Sequence, residues 1–244
     1  MPVPILLRFG CVNCSGFFLN LLFPARCPVC GSYADRHKYN PLCSMCWSSI
    51  QRYNGPACKV CGVPAPSSQT GTCSECLRKT PPYSKIHCYG IYDGALKASI
   101  QLLKFQGIKR LAKPLSSLLY TLELSNYDAL LPVPLHSKKL HEREFNQTAL
   151  LSYHLSKALR IPVLLDSLIK VKDTKLQTEV GRADRLRNLK NAFKSSGDIY
   201  GRRLLLIDDV ITTGATVTEC ASVLKKGGAA AVEVAALARS MARY

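Results

Sequence analysis

The chain has 244 residues, 47% of them hydrophobic, which is enough for a packed core and excludes a disordered chain. Its 33 Lys and Arg outnumber 16 Asp and Glu, giving a formal charge of +17 that suits an anionic partner: a nucleotide, a sugar phosphate, a nucleic acid or a membrane surface. Of its 12 cysteines, all but Cys88 and Cys220 fall in Cys-x-x-Cys pairs, a metal-ligand spacing that favours a reducing compartment over a secreted disulfide scaffold.

Residues 1–26 form an apolar extension in which Arg8 is the one charged side chain before Pro24. Its apolar runs, Val3–Leu7 and Phe17–Phe23, are too short to span a bilayer, and no small-residue cleavage site follows. The expectation is a short helix at Phe17–Phe23 packing on the body of the protein, without a stable membrane span. Cys11 and Cys14 read as an incidental pair.

Residues 27–82 carry four cysteine pairs and little hydrophobic periodicity. Cys27 and Cys30 are followed by Cys43 and Cys46, then Cys58 and Cys61 by Cys73 and Cys76. Tetrahedral Zn²⁺ takes four thiolates from two such knuckles, so the segment reads as a double zinc ribbon with two structural ions. A stretch so poor in apolar side chains needs metal to fold. Sequential pairing of the knuckles is preferred, with a crossed arrangement left open. Tyr39, Trp47 and Tyr53, interleaved with Arg36, Lys38 and Arg52, can stack bases and neutralise phosphates of single-stranded nucleic acid. The same residues equally suit a ribbon's own core and its solvated face.

Residues 83–244 alternate apolar runs with helical patterns. Strands are expected at Ile86–Tyr92, Ala129–Val133, Leu168–Val171, Arg203–Ile207 and Val232–Leu237. Helices are expected at Ala95–Phe105, Leu111–Leu124, Asn146–Leu159 and Val217–Lys226, the last ended by Gly227-Gly228. This alternation implies an α/β fold, a parallel sheet flanked by helices, with ligands at the carboxyl ends of its strands.

Asp208 and Asp209 follow the apolar run Leu204–Ile207, and Thr212, Thr213, Gly214, Ala215 and Thr216 lead straight into a helix. Small residues let backbone N–H groups wrap an anion, hydroxyls add donors, and the helix N-terminus adds a positive dipole end. Such a cup suits a phosphate monoester. Two carboxylates beside it would repel the phosphate unless they accepted hydrogen bonds from ribose hydroxyls or held Mg²⁺ through water. A second cluster, Leu135, His136, Lys138, Lys139 and Arg143, leaves the end of another strand and suits pyrophosphate. Residues 172–190 read as a long, flexible polar loop, with Gln177, Thr178, Arg182 and Arg185 as lid contacts.

The run IDDVITTGAT resembles the signature of type I phosphoribosyltransferases, which bind phosphoribosyl pyrophosphate (PRPP) with Mg²⁺. That likeness gives Asp208 and Asp209 the ribose hydroxyls and Thr212–Thr216 the 5-phosphate. Joined with PVPLH…FNQ, QT…R…R…N…AF and YDGALKASIQLLKFQG at 92–107, it is similar to the ComF (GntX-like) family of competence proteins, from about residue 17 to 239. The family shows arginine and glycine where this chain has Lys139 and Glu144. What the family implies is a cytoplasmic PRPP-binding protein assisting DNA uptake, peripheral to the inner membrane, with single-stranded DNA and DNA-uptake proteins as partners. Transfer to an unnamed acceptor, PRPP-responsive single-strand binding without turnover, and PRPP-sensing gene regulation are the activities it allows.

Overall fold

A computed structural model describes residues 25–36, 38–65, 71–124, 126–173 and 189–241. The expected helix at Phe17–Phe23, the Cys11/Cys14 pair and the lid residues Gln177, Thr178, Arg182 and Arg185 lie outside them. No helix among the described residues is long and apolar enough to cross a membrane.

Four strands make one parallel sheet: β1 (Ile86–Ile91), β2 (Ala129–Pro132), β5 (Arg203–Ile211) and β6 (Ala231–Arg239), in the order β1-β6-β5-β2. Between them run α3 (Gly94–Phe105), α4 (Ala112–Tyr120), α5 (Ser137–Arg143), α6 (Gln147–Leu159) and α7 (Ala215–Lys226). Two short helices, α1 (Ser44–Ser48) and α2 (Ser74–Arg78), belong to the cysteine-rich segment. Asp93 caps α3 by accepting from Gly94 N–H, and Asn146 caps α6 by accepting from Thr148 N–H at 3.0 Å.

Alternation along β5 divides the interior in two. Leu205 and Ile207 pack with Leu96, Leu103, Leu115 and Leu151 of α3, α4 and α6. Leu204 and Leu206 pack with Val217, Ala221 and Leu224 of α7. All four β5 side chains are fully buried, as a central parallel strand with both faces covered requires.

Some expectations need correction. Leu168–Val171 does not join the parallel sheet: β3 (Leu168–Lys170) pairs antiparallel with β4 (Phe193–Ser195), a three-residue strand with too little pattern to be read. The basic turn after β2 is the helix α5, which carries a lone leucine and therefore no apolar period. The second helix stops at Tyr120, and β5 runs on through both aspartates to Ile211.

The cysteine-rich segment does not hang free of the sheet. Cys27, Cys43 and Cys46 pack into the core on the α3–α4–α6 side, whereas Cys58, Cys61 and Cys76 pack into the core on the α7 side. The two halves thus straddle β1, the edge strand. Tyr53 N–H donates to Tyr89 O at 2.8 Å, and Ile86 N–H donates to Val60 O at 2.8 Å, satisfying groups that an open edge would expose. Arg110 Nε donates to Asn40 O at 2.9 Å and Arg52 to Thr121 O at 3.0 Å, so contacts cross the sequence boundary near residue 82.

Candidate functional site

The eight cysteines form two sequential groups, Cys27, Cys30, Cys43 and Cys46, and Cys58, Cys61, Cys73 and Cys76, with all ligand atoms in each within 4.8 Å of one another. Tetrahedral coordination at about 2.3 Å places sulfurs about 3.8 Å apart. The Cys30–Cys43 and Cys61–Cys73 sulfurs stand 3.6 and 3.7 Å apart, so both groups fit zinc. Backbone N–H groups of Cys61 and Cys73 point at Cys58 Sγ at 3.5 and 3.3 Å, the donors a thiolate needs. Gly31 and Gly62 follow the first and third knuckles at φ 77° and 64°. A side chain at Gly62 would also lie 3.1 Å from Ile86 O, where the ribbon meets β1.

The carboxyl end of β5 is the polar centre of the molecule. Asp208 and Asp209 are both buried there. Asp209 is held by three partners: Lys104 Nζ from α3 lies 2.8 Å from Oδ2, Gln147 Nε2 from α6 donates to Oδ2 at 3.0 Å, and Val210 N–H donates to Oδ1 at 2.7 Å. Asp208 accepts from Asp209 N–H at 2.8 Å. Burial first, and then the Asp209 charge, push the Asp208 carboxyl up to about 8, with Lys104 pulling it the other way. A ribose hydroxyl donating to Asp208, or a hydrated cation beside it, would favour its ionised form. The pair therefore has the chemistry to hold Mg²⁺ through water.

Past β5 the chain enters the expected cup. Gly214, at φ 78°, is the N-cap of α7, a backbone conformation that favours glycine. Gly214 and Ala215 are buried, Thr213 and Thr216 half-buried, and Thr212 exposed. Ala215 N–H donates to Thr213 Oγ1 at 3.3 Å, and Thr218 Oγ1 donates to Gly214 O at 2.8 Å. The first turn of α7 thus begins at the same end of the sheet as the aspartates.

The second basic cluster divides. His136 caps α5, its Nδ1 accepting from Lys138 N–H at 3.4 Å and lying 3.9 Å from Asp173 Oδ1. Arg143 donates to Gln147 Oε1 at 3.4 Å and its guanidinium lies over the Phe105 ring, so it is tied to the residues that hold Asp209. Lys138 is exposed, and Leu135 and Lys139 are half-buried.

Sequence reasoning does not single out Lys104, Gln147, Lys170 or Arg239. Lys104 and Gln147, the residues that hold Asp209, lie inside the runs LLKFQG and FNQ. Burial, and then the Lys139 charge, hold the Lys170 ammonium below its ordinary value. Of the ribbon aromatics, Tyr39 stacks on Trp47 with ring centroids 4.5 Å apart, and Tyr53 donates to Pro56 O at 2.9 Å. These three rings are at least partly spent on the ribbon itself.

Comparison with known proteins places the site in context. The chain matches the Double zinc ribbon domain over residues 18–77 and the Phosphoribosyl transferase domain over residues 148–244. It is 34% identical to a protein of Haemophilus influenzae named Competence protein F, with 96% of this chain and 98% of that one aligned. It is 36% identical to the DNA utilization protein YhgH of Escherichia coli K12, over 82% of this chain and 91% of that one. Among solved structures, a glutamine PRPP amidotransferase from B. subtilis superposes with a TM-score of 0.38 at 23% identity, over 51% of this chain and 25% of that one.

Proposed function

The chain belongs to the competence protein F family, and from that membership we propose that its phosphoribosyl transferase domain binds PRPP with Mg²⁺ and serves the uptake or use of DNA. One observation carries the reading: two buried aspartates at the end of β5 stand just before a helix capped by a glycine at φ 78°. The ribose 2- and 3-hydroxyls donate to Asp208 and Asp209, with Lys104 and Gln147 fixing the second carboxylate. The 5-phosphate accepts from the N–H and hydroxyl groups of Thr212, Thr213, Gly214, Ala215 and Thr216. Pyrophosphate lies toward Leu135, His136, Lys138, Lys139 and Arg143. Mg²⁺ would offset the charge of that pyrophosphate, the leaving group. The expected lid contacts Gln177, Thr178, Arg182 and Arg185 lie outside the described residues. The reaction class is transfer of the ribosyl phosphate to an acceptor, with pyrophosphate released.

A second reading, PRPP-responsive binding of single-stranded DNA without turnover, draws on a cavity of ≈ 290 Å³ beside β1. Arg52, Lys59, Lys85 and Arg239 line it, and among the described residues no carboxylate does. Calorimetric titration of the zinc-loaded chain with PRPP and Mg²⁺ tests both readings, with pyrophosphate release measured in parallel across a set of nucleobases. Binding lost in Asp208→Asn is the expected result. Pyrophosphate release would select the transferase, and binding without release the DNA factor. Absence of PRPP binding up to millimolar concentration would overturn both.

A further inference from the structure

A buried guanidinium stands beside the cup with two of its three nitrogens unpaired. Arg239 closes β6 and is only 6% exposed. Its Nε and Nη1 are buried, and neither makes a hydrogen bond. No carboxylate among the described residues lies within ion-pair distance of it. A charged group in that situation is strongly destabilising until an anion meets it.

Its position says which anion. Nη1 lies 3.8 Å, and the Tyr83 hydroxyl 4.0 Å, from the point that a Cβ on Gly214 would occupy. Arg239 therefore flanks the N-terminus of α7, whose first N–H groups already favour an anion. Between this point and the second cysteine group is a cavity of ≈ 100 Å³, walled by Lys79, Thr80, Arg239, Tyr83 and Thr213 and also by Cys61, Cys76 and Glu75, the last paired with Arg78 at 3.2 Å. That space equals about three waters at liquid density, room for one phosphate group. Lys79, Thr80 and Tyr83 come from the end of the ribbon segment and the link to β1, so ribbon and cup share the cavity.

We propose that Arg239, with Lys79 and the hydroxyls of Thr80, Tyr83 and Thr213, forms a phosphate-binding subsite between the cup and the second cysteine group. Its ligand is a phosphate ester. Two sources supply that chemistry: the sugar phosphate seated in the cup, and the backbone of a strand entering from the ribbon side. The inference does not depend on the PRPP reading, because phosphate alone is the first probe.

The experiment is calorimetric titration of the zinc-loaded full chain with inorganic phosphate, ribose 5-phosphate and a short oligothymidylate. Arg239→Met should weaken phosphate at least about tenfold, as expected for loss of a charge-assisted contact. Arg239→Lys should recover part of the loss. Lys79→Gln changes an exposed residue and should weaken binding by about twofold to fivefold, which keeps the test open should Arg239→Met not fold. Loss confined to phosphate and ribose 5-phosphate identifies the sugar phosphate as the source; loss that extends to the oligonucleotide identifies the strand. Equal binding by wild type and both charge-removing variants, or no phosphate binding by wild type, overturns the proposal. A chain that ignores PRPP yet holds phosphate through Arg239 would sink the PRPP reading alone, whereas PRPP binding indifferent to Arg239→Met and Lys79→Gln would sink the subsite alone.

Discussion

Asp208→Asn should make the ligand-free protein more stable at alkaline pH while removing its affinity for PRPP. The Asp208 carboxyl is raised from 3.8 to about 8, chiefly by burial and then by the Asp209 charge. The folded state therefore keeps a proton that the unfolded chain has released. The associated stability is complete below pH 3.8, declines as pH rises, and is lost once pH passes about 8. Each pH unit within that window is worth about 1.4 kcal/mol, so about 3 kcal/mol should disappear between pH 6 and pH 8. For a chain of this size that is roughly 6–12 °C in melting temperature. Asparagine keeps the shape and removes the titration. Scanning calorimetry of wild type and variant from pH 6 to 9, without PRPP or divalent cation beyond the bound zinc, reads the difference directly. The melting curves should diverge as pH rises and run parallel above pH 8. Identical slopes through pH 6–8 would refute the reasoning. The same ionisation predicts that PRPP binding at pH 7 releases a proton, visible as a dependence of the calorimetric heat on the buffer.

Two further outcomes follow from the packing. Native mass spectrometry should find two zinc ions per chain, and Cys43→Ser or Cys61→Ser should each lose one. Because the two cysteine groups sit in opposite cores, loss of either metal should also expose the Ile86 and Tyr53 amides, which bond along the edge of β1, to hydrogen exchange; structural zinc is worth about 10–16 kcal/mol, as much as a whole domain's stability. Full protection of both amides in the metal-free chain would contradict this. Glu144 ends α5 at φ 62°, a left-handed conformation that favours glycine. Glu144→Gly should stabilise the chain by about 1 kcal/mol, or roughly 2–4 °C, measured by thermal denaturation; a fall in melting temperature would show that the Glu144 side chain contributes more than its backbone costs.

What could be read from the sequence depended on how local each signal was. Leu204–Ile207 has the continuous apolar run of a central strand, and the aspartates and small residues that follow carry their chemistry in their order. The cysteine spacing is equally local. Lys104 was hidden because a lysine in an amphipathic helix reads as a solvated one, and only the fold brings α3 against the end of β5. Arg239 was hidden for the same reason: at the end of an apolar strand it looks like the return to solvent, and its burial depends on what packs around β6. The helix α5 rests on the His136 cap more than on any apolar stripe, so periodicity could not find it.

The position of the ribbon bears on what it is for. A sheet whose outermost strand were bare would present unpaired N–H and C=O groups to any passing strand. Here the ribbon fills that role: Tyr53 and Val60 bond to β1, and a side chain at Gly90 would come within 3.0 Å of Gln51 O. A purely structural role would explain these contacts, the Tyr39–Trp47 stack and the Arg52 and Arg110 anchors. It would not explain why Nε and Nη1 of Arg239 are buried without an acceptor where the ribbon meets the cup. A fold that only needed to seal an edge gains nothing from two unmet donors there, and an apolar side chain of similar volume would cost less. Those two donors are the physical reason for the proposal that the ribbon and the loop before α7 wall one phosphate subsite.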